Sequence, residues 1–238
     1  EDAVISAGAK EVFLVENVVS ASVGARMPIQ DAIGNMIVSL GGGVTEIAVI
    51  SLSGVVAWKS LRVAGNELDQ DIILNMRNEF NLLVGEKIAE KVKIDYSLNH
   101  NNEEKDQKKE NMELKIRGRD LLTGLPREVP LSMNDISNFL TRSISTIVDG
   151  VKSTLEITPP ELIADIYQRG LILVGGGAIL KNLDKMISQY VKIPVRVIDD
   201  PLTCSVRGMG IILEDEKLLK EVMIPTTQQD EKRGLIKY

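Results

Sequence analysis

Two runs of three consecutive glycines constrain the fold of this chain more than any other feature. The first run stands between two apolar segments, residues 36–40 and 45–52, and this pattern predicts an antiparallel hairpin with a glycine turn. The second run follows the apolar segment 171–174 and precedes apolar residues at helical spacing over 180–190, which predicts a strand, a glycine turn and a helix. The six glycines are Gly41, Gly42, Gly43, Gly175, Gly176 and Gly177.

Glycine turns of this kind have two uses in proteins. Successive backbone N–H groups without side chains can approach an anion, so both turns are candidates for holding a phosphate group. A glycine turn is equally common where a strand reverses beside another backbone, and the residues alone favour neither use. Neither run matches a P-loop or a G-x-G-x-x-G dinucleotide motif, which excludes kinases and dehydrogenases built on those motifs.

The remaining segments alternate between strand and helix patterns, which predicts a layered α/β protein. Strands are predicted over residues 12–15, 36–40, 45–52, 55–63, 112–116, 128–131, 171–174 and 195–197, and helices over 18–24, 66–80, 85–93, 132–158, 180–190 and 204–213. Asn66 and Asp69 resemble a capping box at the start of the helix over 66–80. We expect the mixed-charge end of the chain, from Glu221 onward, to fray.

Composition limits the classes of function. The 238 residues suffice for two modest lobes, and 44% hydrophobic residues with only 3% aromatic ones indicate an aliphatic core. The net charge of -6 argues against a nucleic-acid partner. The lone cysteine, Cys204, excludes an internal disulfide and fits a reducing cytoplasm, and the lone histidine, His100, offers no zinc site. Residues 99–111 are almost wholly polar and predict a solvated loop.

Seven sequence blocks follow one another over nearly the whole chain. They are L-x-E-N-x(6)-G-A-x-x-P, L-G-G-G-V-T-E-I-A-V-I-S-L, R-V-A-G-N-E-L-D, N-L-L-V-G-E-K, R-G-R-D-L-x-T-G-L-P, L-V-G-G-G-A-x-L and D-D-P-L-x-x-x-x-R-G. Together these blocks resemble the MreB family, the bacterial actins. Any single block could match by chance, but seven separate blocks in the family's order argue against a chance resemblance. The resemblance implies an α/β, actin-like ATPase fold, with a ribonuclease H-like lobe and a small α+β subdomain about an ATP cleft.

The resemblance also implies how the chain divides into lobes. The residues from Glu1 to Gly8 have the pattern of a helix interior without a cap, so we expect the N-terminal lobe to be incomplete in this chain. The implied divisions are 1–33 for the end of the first lobe, 34–72 with 144–213 for the second large lobe, 73–143 for the small subdomain containing the polar loop, and 214–238 for a C-terminal tail.

The family pattern assigns binding roles to three stretches. The first glycine run matches a phosphate-binding hairpin, the helix near residue 90 matches the one that flanks the adenosine, and the second glycine run matches the adenine-side loop. The positions implied to bind ATP are Gly41, Gly42, Gly43, Glu86, Ala89, Glu90, Lys93, Gly175, Gly176, Gly177 and Ala178.

The hydrolytic positions depart from the family pattern. Asn17 stands where the family has a glutamate that orients the attacking water, and the neighbouring Glu16 is one residue out of place. Ser39 replaces the aspartate that holds Mg2+, and Val44 replaces a threonine. A neutral amide cannot accept a proton as a carboxylate does, serine is a poor magnesium ligand and valine has no hydroxyl, so we expect slow or absent hydrolysis. The alternative is that Glu16 shifts into the catalytic place and that Ser39, with water, still supports Mg2+.

The resulting hypothesis is a filament subunit that scaffolds cell shape, associates head to tail and uses ATP mainly as a conformational clamp. The resemblance implies a cytoplasmic protein at the inner face of the membrane, working with cell-wall elongation proteins. Two alternatives stay open. One is an active ATPase of the same superfamily, such as a chaperone or a sugar kinase, and the other is a nucleotide-free scaffold remnant.

Overall fold

A computed structural model describes residues 1–98 and 113–225 of the chain. The predicted polar loop and His100 lie outside these residues. In chain order the elements are α1 (Asp2–Ser6), α2 (Asn17–Gly24), β1 (Asn35–Leu40), β2 (Thr45–Ser51), β3 (Gly54–Leu61), α3 (Gly65–Phe80), β4 (Leu82–Leu83), α4 (Glu86–Leu98), β5 (Glu113–Asp120), β6 (Pro126–Ser132), α5 (Met133–Glu156), α6 (Pro160–Arg169), β7 (Leu171–Val174), a 3-10 turn (Gly176–Ile179), α7 (Leu183–Val191), β8 (Val195–Val197), α8 (Cys204–Glu214) and α9 (Glu216–Val222).

A five-stranded mixed sheet forms the centre of the larger layer. Its strand order is β3-β2-β1-β7-β8, with β1, β2 and β3 in an antiparallel meander and β7 and β8 parallel to β1. All six residues of β1 are buried, because helices cover the sheet on both faces. The predicted strand, glycine turn and strand, and the predicted strand, glycine turn and helix, are both confirmed.

The two faces of the sheet contribute to two separate hydrophobic clusters. Met36, Val38 and Leu40 pack with α3, α4, α5 and α7 on one face. Ile37 of β1 and Ala48 of β2 pack with α2, α8 and α9 on the other. The strict alternation of side chains along a strand therefore decides which residues of the hairpin meet α2.

A smaller antiparallel sheet, in the order β4-β5-β6, precedes α5. Ser132 ends β6 and begins α5, where its side chain and that of Asp135 form a capping box. Phe80 at the end of α3 packs edge-on against Phe139 of α5, with ring centroids 6.4 Å apart. The predicted hairpin and the helix that begins at Ser132 are therefore confirmed, while the division into lobes stays a prediction.

Three local predictions are wrong. The segment 12–15 contributes only an isolated bridge from Val15 to Met223. The capping box at Asn66 does not form: the N-cap of α3 is Ala64, and no side chain caps the helix. The frayed end does not begin at Glu221, because α9 continues to Val222, whose side chain is buried with α2 and α8.

Two of the helices in the described part of the chain, α6 and α9, were not predicted. Proline lacks an N–H donor but suits the first turn of a helix, so Pro160 both ends the pattern of α5 and begins α6. In α9, the apolar spacing of Leu218, Leu219 and Val222 was hidden by the charged residues around it. Over residues 1–98 and 113–225, the helices are all too short or too polar to cross a membrane.

Candidate functional site

A cleft of about 460 Å³ brings together the elements that the sequence analysis singled out. The hairpin turn, the start of α3, one face of α4 and the 3-10 turn that follows β7 form its walls. Of the eleven positions implied to bind ATP, the cleft is lined by Gly41, Gly42, Glu90, Lys93, Gly176 and Gly177. Residues that lie far apart in sequence, and that the sequence analysis predicted to bind nucleotide, therefore line one cavity.

Backbone hydrogen bonds join the hairpin turn to the first turn of α3. The N–H groups at a helix N-terminus have no partner within the helix. The Gly65 N–H donates to the Gly41 carbonyl at 3.1 Å, and the Asn66 N–H donates to the Gly42 carbonyl at 2.7 Å. These contacts take the place of the predicted Asn66 capping box and fix the hairpin turn against the cleft.

An ion pair connects α4 to α3 beside the hairpin. The Lys93 ammonium lies 2.8 Å from both oxygens of Asp69 and donates a further hydrogen bond to the Gly65 carbonyl at 2.9 Å. Burial raises the pKa of the Asp69 carboxyl, and the Lys93 ammonium offsets part of that rise. The favourable hydrogen-bond geometry is to Oδ2, and Oδ1 has no other donor among the described residues. Lys93 therefore reaches the cleft as half of a pair rather than as a free cation.

The second glycine run packs closely against the end of β1. Gly175 has a φ of +84°, and a methyl group there would lie 2.9 Å from the Leu40 carbonyl carbon. A methyl group at Gly177 would lie 2.7 Å from the Leu40 Cβ. These two glycines are thus required by packing, whatever they bind, because any side chain would collide with β1.

The other predicted binding positions lie around the cleft rather than in it. Ala89 and Ala178 are almost completely buried and belong to the hydrophobic core rather than to the lining of the cleft. Gly43 and Glu86 are exposed outside the lining of the cleft, and Glu86 accepts a hydrogen bond from Gln70 at 3.5 Å.

Two of the predicted hydrolytic positions, Asn17 and Ser39, meet at one corner, where α2 approaches the hairpin. The Asn17 Nδ2 donates to Glu46 Oε2 at 2.6 Å and lies 3.4 Å from the Ser39 Oγ. Ser39 is only 7% exposed, whereas Val44 is 41% exposed on the turn. Glu16 is the exposed N-cap residue of α2, so Asn17 rather than Glu16 faces the sheet.

Glu46 is the residue at this corner that the sequence analysis missed. It is the direct cross-strand partner of Ser39 in the β1–β2 register, on the face of the hairpin that meets α2. A hairpin whose turn spans residues 41–44 pairs position 39 with position 46, so the register was a signal that could have found it.

The corner is a poor match for a protein-bound magnesium ion. Mg2+ in proteins is held by carboxylates together with phosphates and water. The corner offers a single carboxylate, Glu46, which already accepts the Asn17 amide. Within residues 1–98 and 113–225, no group of three or more His, Cys, Asp and Glu side chains is placed to hold a metal ion. The residues present do not fit an aspartate-held magnesium site.

A mixed sheet covered by helices on both faces, with a glycine hairpin and a glycine turn opening on a common cleft, defines a protein of the actin-like fold. A match to the family described as MreB/Mbl protein extends over residues 1–221. The chain therefore belongs to the MreB/Mbl family, and the resemblance drawn from the seven sequence blocks is confirmed.

Individual relatives agree with this assignment. The chain is 44% identical over 208 residues to the cell shape-determining protein MreB of Escherichia coli, covering 87% of this chain and 58% of that protein. It is 40% identical over 221 residues to the cell shape-determining protein Mbl of Bacillus subtilis, covering 92% of this chain and 65% of that protein. The chain thus spans about three-fifths of the length of these relatives.

Solved structures show the same fold. The crystal structure of MreB5 of Spiroplasma citri bound to ADP matches with a TM-score of 0.83 and 36% identity, covering 92% of this chain and 64% of that one. A MamK double helical filament matches with a TM-score of 0.62 at 17% identity, which shows the fold alone.

Proposed function

We propose that this chain belongs to a subunit of an actin-like cell-shape filament, and that its cleft binds an adenine nucleotide. The observation that carries the proposal is the single cleft of about 460 Å³ shared by both glycine turns and α4. The relatives in Escherichia coli and Bacillus subtilis are cell shape-determining proteins, and the MreB5 structures of Spiroplasma citri are bound to ADP and to AMPPNP.

The geometry suggests how ATP would lie in the cleft. The exposed hairpin turn of Gly41, Gly42 and Gly43 would face the phosphates, since glycine amides can surround an anion without interference from side chains. The adenosine would lie between α4, with Glu90 and Lys93, and the 3-10 turn after β7. Lys181 stacks over the Tyr96 ring at 5.6 Å and connects this turn to α4 beside the cleft.

Slow hydrolysis follows from the corner where α2 meets the hairpin. Asn17 cannot take a proton, Ser39 is a weak magnesium ligand, and Val44 cannot position water. Nucleotide would then act mainly as a clamp that favours one arrangement of the subunit, rather than as a source of energy. Magnesium, if present, would depend on the phosphates more than on this corner of the protein.

The wider setting of the protein is also part of the proposal. Self-association into filaments is supported by the filament structure of MamK, which shares the fold. We place the protein in the cytoplasm at the inner face of the membrane, with cell-wall elongation proteins as partners. The net charge of -6 makes nucleic acid an unsuitable partner, because binding to phosphate backbones requires clustered cations.

The test begins with the full open reading frame that encodes this chain. Binding of ATP and ADP is measured by titration calorimetry, assembly by pelleting, and hydrolysis by phosphate release. Glu90→Ala is expected to weaken ATP binding, because Glu90 lines the cleft. Glu79→Ala removes the same charge from an exposed position on α3 outside the cleft and serves as the matched control.

Hydrolysis distinguishes the remaining alternatives. A variant with Asn17→Glu, Ser39→Asp and Val44→Thr is expected to release phosphate faster than the natural protein. Equal rates would instead indicate an active ATPase. Failure of the natural protein to bind either nucleotide would indicate a nucleotide-free scaffold. Equal assembly with and without nucleotide would contradict the proposal that nucleotide acts as a conformational clamp.

A further inference from the structure

A further cavity, of about 320 Å³, lies where the ends of α2 and α6 meet the edge strand β8. It shares no lining residue with the nucleotide cleft. Arg26, Arg169 and Arg196 line this cavity, and all three residues are exposed. We call it the arginine pocket. Its position and its charge set it apart from the nucleotide site.

The charge of the arginine pocket is not balanced within the described part of the chain. None of its three arginines lies within ion-pair distance of a carboxylate there. The Arg196 guanidinium donates to the Arg169 backbone carbonyl, at 3.2 Å. Asp199 is the single carboxylate residue in the lining, and it is exposed. A surplus of guanidinium groups around a concave surface, on a chain whose net charge is -6, favours an anionic ligand.

The strand beside the arginine pocket has an open edge. β8 is the outermost strand of the large sheet, and the Pro194 carbonyl and the Ile198 N–H both bond to β7. Backbone groups alternate in direction along a strand, so those of Val195 and Val197 point away from the sheet. Arg196 lies on the same face as Ile198, which packs with the α2 cluster. A strand added outside β8 would therefore place every second side chain beside Arg196.

Asn35 adds an unused acceptor to the arginine pocket. It lines the pocket and is only 3% exposed. Its side-chain NH2 group donates to the Pro28 and Ile33 carbonyls, both at 3.2 Å, and its amide oxygen accepts no hydrogen bond from the described residues. A phosphate group would supply acceptors for the arginines but little that could pair with this oxygen or with the edge of β8. A peptide carries both carboxylates and N–H donors, so it fits the pocket better.

We propose that the arginine pocket and β8 together form a docking site for an extended acidic segment of a partner protein. The segment would add a strand outside β8, and its Asp or Glu side chains would reach Arg26, Arg169 and Arg196. Strand pairing would supply affinity, and the arginines would select acidic residues. The inference goes beyond the proposed function, because neither the nucleotide cleft nor filament assembly enters into it.

The test uses the full reading frame and a short fluorescent peptide in which glutamate alternates with valine, so that all the glutamates lie on one face of an added strand. Binding is measured by fluorescence anisotropy at low and high salt. We expect saturable binding that weakens as the salt concentration rises, because the contacts join exposed charges. One comparison peptide has glutamine in place of glutamate, and the other has a methyl group on every backbone nitrogen. Both should bind at least about tenfold more weakly, the first for lack of charge and the second for lack of N–H donors.

Arg196→Gln is the main variant, since it removes the charge that lies on β8 and keeps a polar side chain. It should weaken binding of the acidic peptide about tenfold or more, the usual effect of losing a charge-assisted hydrogen bond. Arg142→Gln removes the same charge from an exposed position on α5 outside the pocket, and this matched control should bind as the natural protein does. Equal thermal unfolding midpoints check that both variants keep the fold. If Arg196→Gln fails to fold, Arg169→Gln replaces it with the same expected loss.

Specific results would overturn the proposal. Absence of binding by the natural protein, or equal affinities of Arg196→Gln and Arg142→Gln, would remove the docking site. Equal binding of the glutamine peptide would remove the role of charge, and equal binding of the methylated peptide would remove the strand pairing. Displacement of the acidic peptide by inorganic phosphate at matched ionic strength would indicate a phosphate site instead. Altered pelleting of Arg196→Gln without any peptide would indicate that a second copy of this chain, rather than an acidic partner, covers the pocket.

Discussion

The close crossing of α2 and α8 allows a sharp prediction about Gly208. In the structure, a methyl group at Gly208 would lie 2.7 Å from the carbonyl carbon of Ser20 and closer still to its oxygen. On the facing helix, a methyl group at Gly24 would lie 2.9 Å from the carbonyl carbon of Cys204. Both obstacles are backbone atoms, which cannot rotate away as the end of a flexible side chain can.

The expected cost of Gly208→Ala follows from this geometry. Carbon atoms pack at about 3.5–4.0 Å, so the helices would have to separate by roughly 1 Å or more. Separation would stretch the bond from the Ser20 hydroxyl to the Ser205 carbonyl, now 2.6 Å, and the contact from the Cys204 thiol to the Ala21 carbonyl, now 3.2 Å. Overpacking of this kind costs about 3 kcal/mol or more, which corresponds to a fall in melting temperature of about 6–12 °C in a chain of this size.

The assay is thermal and urea unfolding followed by circular dichroism. Gly210→Ala is the matched control on the same helix, because a methyl group there has no atom within 4 Å. Alanine is the better helix former, so the control should be stabilised by about 0.5–1 kcal/mol. If Gly208→Ala unfolded at the same midpoint as Gly210→Ala, the close approach of α2 and α8 inferred here would be wrong.

Three further predictions concern charge and burial. Lys93→Met should destabilise the protein by about 2 kcal/mol or more, because it leaves the Asp69 carboxylate buried without its partner. Burial raises the pKa of Asp69, so the carboxyl takes up a proton as the pH falls, and the loss of stability measured by urea unfolding should then shrink. The hydrogen bond from Arg127 holds the pKa of Asp120 well below its usual range, so the stability that this pair provides is present above the ordinary aspartate pKa and is lost as the pH falls from there through the lowered pKa. The difference in stability between the natural protein and Asp120→Asn should therefore vanish in acid, and a difference that stayed constant with pH would contradict this reasoning. Burial raises the pKa of the Cys204 thiol, which should react with a thiol reagent only as fast as the native protein opens, while immediate labelling would show that the thiol is exposed.

The hairpin and the second glycine turn show why much of the fold could be predicted. In β1 and β7 the apolar runs are continuous and are followed at once by glycines, so local pattern and final structure agree. The start of α5 is similar, since Ser132 and Asp135 form their capping box within four residues. Elements whose stability comes from near neighbours in sequence can be recognised without knowledge of the rest of the chain.

The failures have the opposite cause. The start of α3 takes its hydrogen bonds from Gly41 and Gly42, more than twenty residues away in the printed sequence, so the local capping signal at Asn66 was misleading. Helix α9 is stabilised by burial against α2, which lies far away in the sequence. In both cases tertiary contacts outweighed local propensity.

The sequence by itself determined the family, the alternation of strands and helices and the departure of Asn17, Ser39 and Val44 from the hydrolytic pattern, because these depend on residue identity and spacing. Only the tertiary structure decided that Asn17 rather than Glu16 meets the sheet, that Glu46 is its partner, and that Lys93 is already paired with Asp69. Such pairings depend on which faces of distant elements come together, and packing of the whole chain sets those distances.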